Sequence, residues 1–290
     1  MTESPASKIK HLVISGGGHT IYCSCGAIEK LLNDDIFDCN NIETIYSTSA
    51  GGLVGTIVCL KFDWEIIKDY LIKRPWHEVY SMSVNDILGA YSKRGIYDKK
   101  YFEILFKPLF SAKDISMNIT LKEFYDYSNI EMHLFSLELH QFKVIDISYK
   151  THPDLELLTA LHMSCAFPVI FAPCLTEGKC YVDGGIIMNY PLQACIDDGH
   201  LPEEIIGFKN EYVCDDGNDT NTVNENSTIL DYITCFLYKL VDTISTEHKQ
   251  NKIPREIIYK ISSFSLFSMN KALTSPELRA DLWKRGINAV

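Results

Sequence analysis

The chain has no run of about 20 consecutive apolar residues, so nothing in it reads as a membrane span. Its uncharged stretch around Gly51–Leu60 is rich in glycine and far too short. The opening residues, Met1-Thr2-Glu3-Ser4-Pro5-Ala6-Ser7-Lys8, hold no apolar segment of the kind that drives secretion. Ten cysteines occur without a single C-x-x-C, and Cys23-Ser24-Cys25 is the one close pair. With no secretory signal, that pattern points to a reducing compartment and to small buried thiols, not to a disulfide framework or a zinc site. Basic residues are in deficit: 27 Lys+Arg against 38 Asp+Glu leave a net charge of -11. A general nucleic-acid binder, which needs a basic face, is thereby excluded. A membrane surface is not, because a local apolar or basic patch acts against the global charge. The expectation is a cytoplasmic protein able to work at the periphery of a membrane.

Two further site types are missing. The first glycine turn has neither G-x-G-x-x-G nor G-K-[ST], and no lysine, which removes a nucleotide-phosphate cradle. In Cys214-Asp215-Asp216-Gly217-Asn218-Asp219 the glycine is misplaced for an EF-hand and no glutamate closes the loop. It reads as solvated polar loop.

At 290 residues the chain buries a large core, as one α/β domain or two small ones. Ile9–Ser15 is a first strand, ending in the continuous apolar run of a buried parallel strand. It runs into Gly16-Gly17-Gly18, where N–H groups can face outward as an anion-binding nest. A helix over Ile21–Leu32 follows, then a strand over Glu43–Tyr46. Next comes Ser47-Thr48-Ser49-Ala50-Gly51, opening into a buried helix that ends near Leu60. A serine among small residues at a strand-to-helix turn has its hydroxyl pushed out of the fold, as in the nucleophile elbow. Alone, S-x-S-x-G is equally a small-residue turn into a packed helix. The βαβα order predicts a mostly parallel sheet with helices on both sides.

Asp63 caps a helix through Ile72 stopped by Pro75, and Arg94–Asp98 opens another helix to about Phe106. Leu121–Tyr127 is a short amphipathic piece; Met132–Glu138 and Phe142–Ile147 form a hairpin. A helix ends near Pro168, and a strand over Lys179–Val182 delivers Asp183 into Gly184-Gly185. An isolated Asp-Gly-Gly is most simply a tight turn.

Taken together, these stretches resemble the patatin-like phospholipase family. Gly16-Gly17-Gly18 stands where that family has its oxyanion glycines, with Gly26-Ala27 on the following helix. Ser49 falls on its nucleophile elbow. Ser164-Cys165-Ala166-Phe167-Pro168-Val169-Ile170-Phe171-Ala172-Pro173 is similar to its S-x-A-x-P-x-x-F-x-P stretch. Asp183-Gly184-Gly185, with Asn189 and Pro191, is similar to its D-G-G/A and N-x-P elements. Two departures stand out. Ser47 replaces the first elbow glycine, and Thr20 and Ile21 occupy positions where the family usually has Lys or Arg and then Gly.

The resemblance implies a three-layer α/β fold, with a mostly parallel central sheet flanked by helices, in a single domain over 1–290. Its family core spans about 10–208, with a flexible loop at 210–227 and a helical extension at 228–290. It also implies a Ser-Asp dyad, with Ser49 as nucleophile and Asp183 as base, and an oxyanion hole from Gly16, Gly17 and Gly18. The substrate is then a lipid or phospholipid ester at a membrane surface, with no cofactor and no metal. Two alternatives stay open. One is a member that binds lipid or a partner without turnover, favoured by Thr20 and Ile21; the other is a Ser49-Asp183-His200 esterase triad. His200 reads as part of an exposed turn, while His19 lies in the glycine turn and His162 on the helix before Ser164. Ile229, Ile233, Phe236, Leu237, Leu240 and Ile244 form one apolar helix face, read first as core and alternatively as a lipid-docking patch, as is the greasy stretch Phe264–Met269.

Overall fold

The computed structural model describes residues 9–80, 84–212, 223–225, 227–247, 251–261 and 266–290. In chain order these form β1 (His11–Ile14), α1 (Ile21–Asn33), β2 (Thr44–Thr48), α2 (Ala50–Cys59), α3 (Trp64–Lys73), α4 (Trp76–Val79) and α5 (Val84–Lys93). Then come β3 (Gly95–Tyr97), α6 (Lys100–Ser111), α7 (Leu121–Ser128), β4 (Glu131–Glu138), β5 (Lys143–Ile147) and α8 (Leu157–Cys165). The remainder is β6 (Val169–Phe171), β7 (Cys174–Thr176), β8 (Lys179–Asp183), α9 (Leu192–Asp197), β9 (Ile205–Tyr212), α10 (Ile229–Glu247), β10 (Glu256–Ile261), α11 (Leu266–Thr274) and α12 (Pro276–Ala289).

The main sheet runs β10-β9-β1-β2-β4-β8-β7, with β5 paired to β4. From β10 to β4 every pairing is parallel, and β5, β7 and β8 join antiparallel. The fold is therefore α/β with a mixed, mostly parallel sheet flanked by helices, as the βαβα order requires. β1, β2 and β4 are buried along their whole length; β1 is correspondingly apolar from Leu12 to Ile14, whereas β2 and β4 also bury polar side chains such as Ser47, Glu131 and Ser136.

Local signals place most elements. The Asp63 carboxylate accepts the Glu65 N–H at the start of α3, and Thr120 with Glu123 forms a complete capping box on α7. The stretch expected to open a helix at Arg94 differs: Gly95–Tyr97 is a short strand, parallel to Val169–Phe171, and the helix begins at Lys100. A β-carbon on Gly95 would lie 2.2 Å from the Ala172 nitrogen, so the strand forms where only glycine lets the two backbones meet. Asn210–Tyr212, expected within a loop at 210–227, instead complete β9. Residues 213–222 and 226, and the 264–265 part of Phe264–Met269, lie outside the described residues.

The final helix is tied into the core. The Trp283 indole N–H donates to Glu29 at 2.7 Å, and a β-carbon on Gly286 would lie 1.9 Å from the Cys23 carbonyl oxygen of α1. The Arg279 guanidinium is buried, and among the described residues no carboxylate pairs with it. It donates instead to the carbonyls of Ile72 and Arg74 at the end of α3 and of Ala272 and Leu273 at the end of α11. Those are the orphan acceptors and negative dipole ends of two helices, which suits a cation. Residues from β1 through α12 share one apolar cluster. Among the described residues no helix is long and apolar enough to cross a membrane.

The shared core supports a proposal that the chain unfolds as one domain, with α12 part of it. Gly286→Ala drives a methyl into α1 and should cost about 1–3 kcal/mol by overpacking. Denaturant unfolding followed by both fluorescence and circular dichroism should shift to lower denaturant as a single coincident transition. A separate early transition for α12 would contradict it.

Candidate active site

The site is built at the ends of β2 and β8. Leaving β2, the chain turns into α2 at Ser49, whose φ of 54° and ψ of -127° are strained for a residue with a side chain. The turn is tight enough that a β-carbon on Gly51 would lie 2.3 Å from the Ile14 carbonyl oxygen. Small residues here are a geometric requirement. Ser47, the elbow departure, sits buried on β2 and donates its hydroxyl to the His133 carbonyl at 3.3 Å. It has no need of positive φ, so serine serves there as well as glycine.

Ser49 Oγ donates to Asp183 Oδ2 at 2.6 Å. The other carboxylate oxygen accepts the Gly185 N–H at 2.7 Å, which fixes the plane of the group. Asp183 is only 3% exposed. Burial pushes its pKa up to about 7, while the bonds from Ser49 and Gly185 pull the other way. The elbow is held by Ser164, whose Oγ accepts the Ser49 N–H at 2.9 Å and donates to the Phe135 carbonyl at 2.7 Å.

Against the elbow lies the glycine turn, where a β-carbon on Gly16 would come within 3.0 Å of the Ser49 Cβ. Gly16 donates its N–H to the Asn189 carbonyl at 3.1 Å, so this glycine anchors the turn and is not free as a donor. Gly17 and Gly18 line the cavity beside Ser49, and their N–H groups have no acceptor among the described residues. Asn210 braces the turn from beneath, donating to the Gly16 carbonyl and to Thr20 Oγ1. A β-carbon on Gly17 would collide with the Asn210 amide at 2.2 Å. Thr20 is 1% exposed and occupied with Asn210, so it props the turn and presents nothing to the cavity. Asn210 escaped the sequence reading, which placed it in a polar loop; its buried position on a strand is the signal that was needed.

The cavity is lined mainly by apolar and aromatic side chains, among them Trp76, Tyr80, Tyr101, Phe102 and Phe171. It contains a second nucleophile type, Cys165. Burial, with the Asp183 charge beside it, pushes that thiol far up, so it stays protonated and inert. His19 also lines the cavity; burial, and then the Arg285 charge, lower it to about 4, leaving a neutral ring.

The other two histidines are engaged elsewhere. His162 bonds to the Ala172 carbonyl at 2.8 Å. His200 stacks on His11 at 3.7 Å and bonds to the Tyr46 hydroxyl at 3.2 Å, in a separate polar pocket lined also by Glu131, His133, Asp146 and Lys150. The triad order Ser49-Asp183-His200 therefore has no geometric counterpart. In that pocket burial opposes a charge on His133. The hydrogen bonds and charges of Asp146 at 2.8 Å and of Glu131 at 3.4 Å outweigh it and raise the ring to about 9.

Comparisons with known proteins agree with this architecture. The family model for the patatin-like phospholipases matches residues 12–196, and the chain belongs to that family. "Uncharacterized protein R571" of Acanthamoeba polyphaga mimivirus is 29% identical over 301 residues, covering 98% of this chain and 93% of that one. "Probable lipid hydrolase 463L" of Invertebrate iridescent virus 6 is 27% identical over 193 residues, 64% of this chain and 63% of that protein. Among solved structures, VipD from Legionella pneumophila superposes with a TM-score of 0.50 at 16% identity, covering 96% of this chain and 67% of its own. A chain of the ExoU–SpcU complex from Pseudomonas aeruginosa gives 0.50 at 13%, covering 97% of this chain, which spans half of that longer one. At these identities the structures speak for the fold.

Two stability measurements follow from the charges. Ionised Asp183 is disfavoured by burial, so its folded value lies above the ordinary carboxylate range and folding is weakened as pH rises from about 4 to 7. Asp183→Asn should stabilise the fold at pH 8 by up to about 4 kcal/mol of relieved desolvation, seen as a higher Tm, and lose that advantage towards pH 4. An unchanged Tm at pH 8 would contradict the burial argument. His133 has the opposite sign. Raised above its unfolded value, it contributes stability fully below about pH 6.5, which is lost as pH rises through about 9. His133→Gln should lower Tm at pH 6 by an amount that shrinks by pH 10. A pH-independent difference would show that the ring acts by packing alone.

Proposed function

We propose that the chain is a lipid acyl hydrolase of phospholipase A type working through a Ser49-Asp183 dyad. The observation that carries this reading is the direct Ser49 Oγ to Asp183 Oδ2 bond of 2.6 Å on a strained elbow, with no imidazole between them. Family membership and the viral relative named as a probable lipid hydrolase support the substrate class.

In this mechanism the Asp183 carboxylate takes the Ser49 proton as Oγ attacks the ester carbonyl carbon. The carbonyl oxygen becomes an oxyanion, received by the N–H groups of Gly17 and Gly18. The N-terminal end of α2, which begins at Ala50, adds a favourable dipole. Collapse expels the alcohol, protonated by Asp183, and leaves an acyl group on Ser49. A water then gives its proton to Asp183 and attacks the acyl carbon; the proton returns to Ser49 as the free fatty acid departs. The low-dielectric cavity strengthens each of these contacts and accommodates an acyl chain along its apolar wall. Among the described residues no lysine or arginine lines the cavity, so the oxyanion rests on backbone dipoles. A turnover slower than that of a site with a cation follows, without loss of the chemistry.

Ser49→Ala should abolish hydrolysis of a soluble short-chain ester while leaving Tm within a degree or two, because only a hydroxyl is lost. In the wild type kcat/KM should rise with pH along a limb near pH 7, where Asp183 becomes the base. Activity persisting in Ser49→Ala would overturn the nucleophile assignment. A limb near pH 4 would mean that the carboxylate is not desolvated.

A further inference from the structure

Helix α10 is apolar on two opposite faces. Its inner face puts Tyr238 and Val241 into the wall of the cavity, together with Met269, Ala272 and Leu273 of α11. The helix also lies against β6 and against the turn Gly184–Ile186 that follows Asp183. Its outer face carries Ile229, Tyr232, Phe236 and Leu240, each between 42% and 71% exposed. Spaced i, i+3, i+7 and i+11, they form one stripe about 17 Å long. The apolar face that the periodicity assigned to the core is thus turned outward at Ile229, Phe236 and Leu240, while Thr234 and Tyr238 are the buried ones. A helix apolar all round is ordinarily covered on every side, and scattered exposed apolar residues do not fall on a single stripe.

We propose that this outer stripe of α10 docks the protein on the surface of a neutral, zwitterionic lipid bilayer and sets the cavity against it. The inference rests on the lipid-hydrolase reading and specifies how substrate reaches that site. Continuity selects the occupant: the helix that bears the stripe also walls the cavity into which a bilayer lipid must pass. Charge selects the type of bilayer. The stripe itself contains no charged residue, and the chain carries a net charge of -11, so attraction to an anionic surface is absent and apolar insertion supplies the binding.

The test compares wild type with the triple variant Ile229→Ser, Phe236→Ser, Leu240→Ser, none of which lines the cavity. Flotation with phosphatidylcholine vesicles measures docking. Hydrolysis of the same vesicles and of a soluble short-chain ester measures catalysis, and circular dichroism checks the fold. Vesicle binding and vesicle hydrolysis should each fall at least tenfold, one such aromatic alone being worth about that much. The soluble ester should be turned over within twofold of wild type. Replacing part of the phosphatidylcholine with phosphatidylserine should weaken wild-type flotation at low salt. Undiminished flotation of the variant would overturn the docking proposal and leave the hydrolase reading standing. Failure of the wild type to hydrolyse either substrate would overturn the hydrolase reading, while flotation still decides the docking. A wild-type dimer that becomes monomeric in the triple variant would mean that the stripe is a protein interface, and would overturn docking on lipid.

Discussion

A carboxylate that works on a serine without an intervening imidazole has to be in direct contact with it, and that single distance organises the molecule. Ser49 and Asp183 lie 134 positions apart in the chain and meet at 2.6 Å. The spacing is set by β4, which lies between the two strands that deliver them. In the ladder Thr48 stands opposite Phe135, and Asp183 stands opposite Ser136. The Phe135 carbonyl then receives the Ser164 hydroxyl that holds the Ser49 N–H. One central strand thus fixes the proposed nucleophile, the proposed base and their brace in a common frame. A one-residue slip of either neighbour would turn its terminal side chain to the other face of the sheet.

The same contact explains the character of the surroundings. A carboxylate poised near neutrality must be dry, and the aromatic cavity wall and the helices packed beside it keep water away. Desolvating Asp183 and straining the Ser49 backbone both weaken folding, so stability has to come from elsewhere. Part of it comes from the clasp of α12, where Arg279 closes two helix ends and Trp283 reaches Glu29. Part comes from the polar pocket around His133, which is separate from the dyad and takes no part in its geometry.

Much of this was legible in the sequence wherever one local rule decided the outcome. The continuous apolar run gave β1, the β-favouring run before Ser47 gave β2, the cap at Asp63 gave the start of α3, the amphipathic pattern gave α7, and the small residues around Ser49 marked the elbow. What stayed hidden depends on distant partners. Gly95–Tyr97 is a strand only because Val169–Phe171 lies beside it. Asn210 looked like the start of a polar loop until β9 placed it under the glycine turn. Gly16 looked like a third oxyanion donor until its N–H was found on the Asn189 carbonyl. The stripe on α10 was visible as a periodicity, but a helix apolar on both faces does not declare which side faces in.

The claim at the centre is that Asp183 alone activates Ser49. The most direct measurement is the rate of covalent labelling by a fluorophosphonate, with the modified residue located by peptide mass spectrometry. The account predicts a single adduct at Ser49, formed at rates within a few-fold in wild type and in a His162→Ala, His200→Ala double variant, and suppressed by orders of magnitude in Asp183→Asn. An adduct on another residue, or a His200→Ala loss as deep as that of Asp183→Asn, would contradict it.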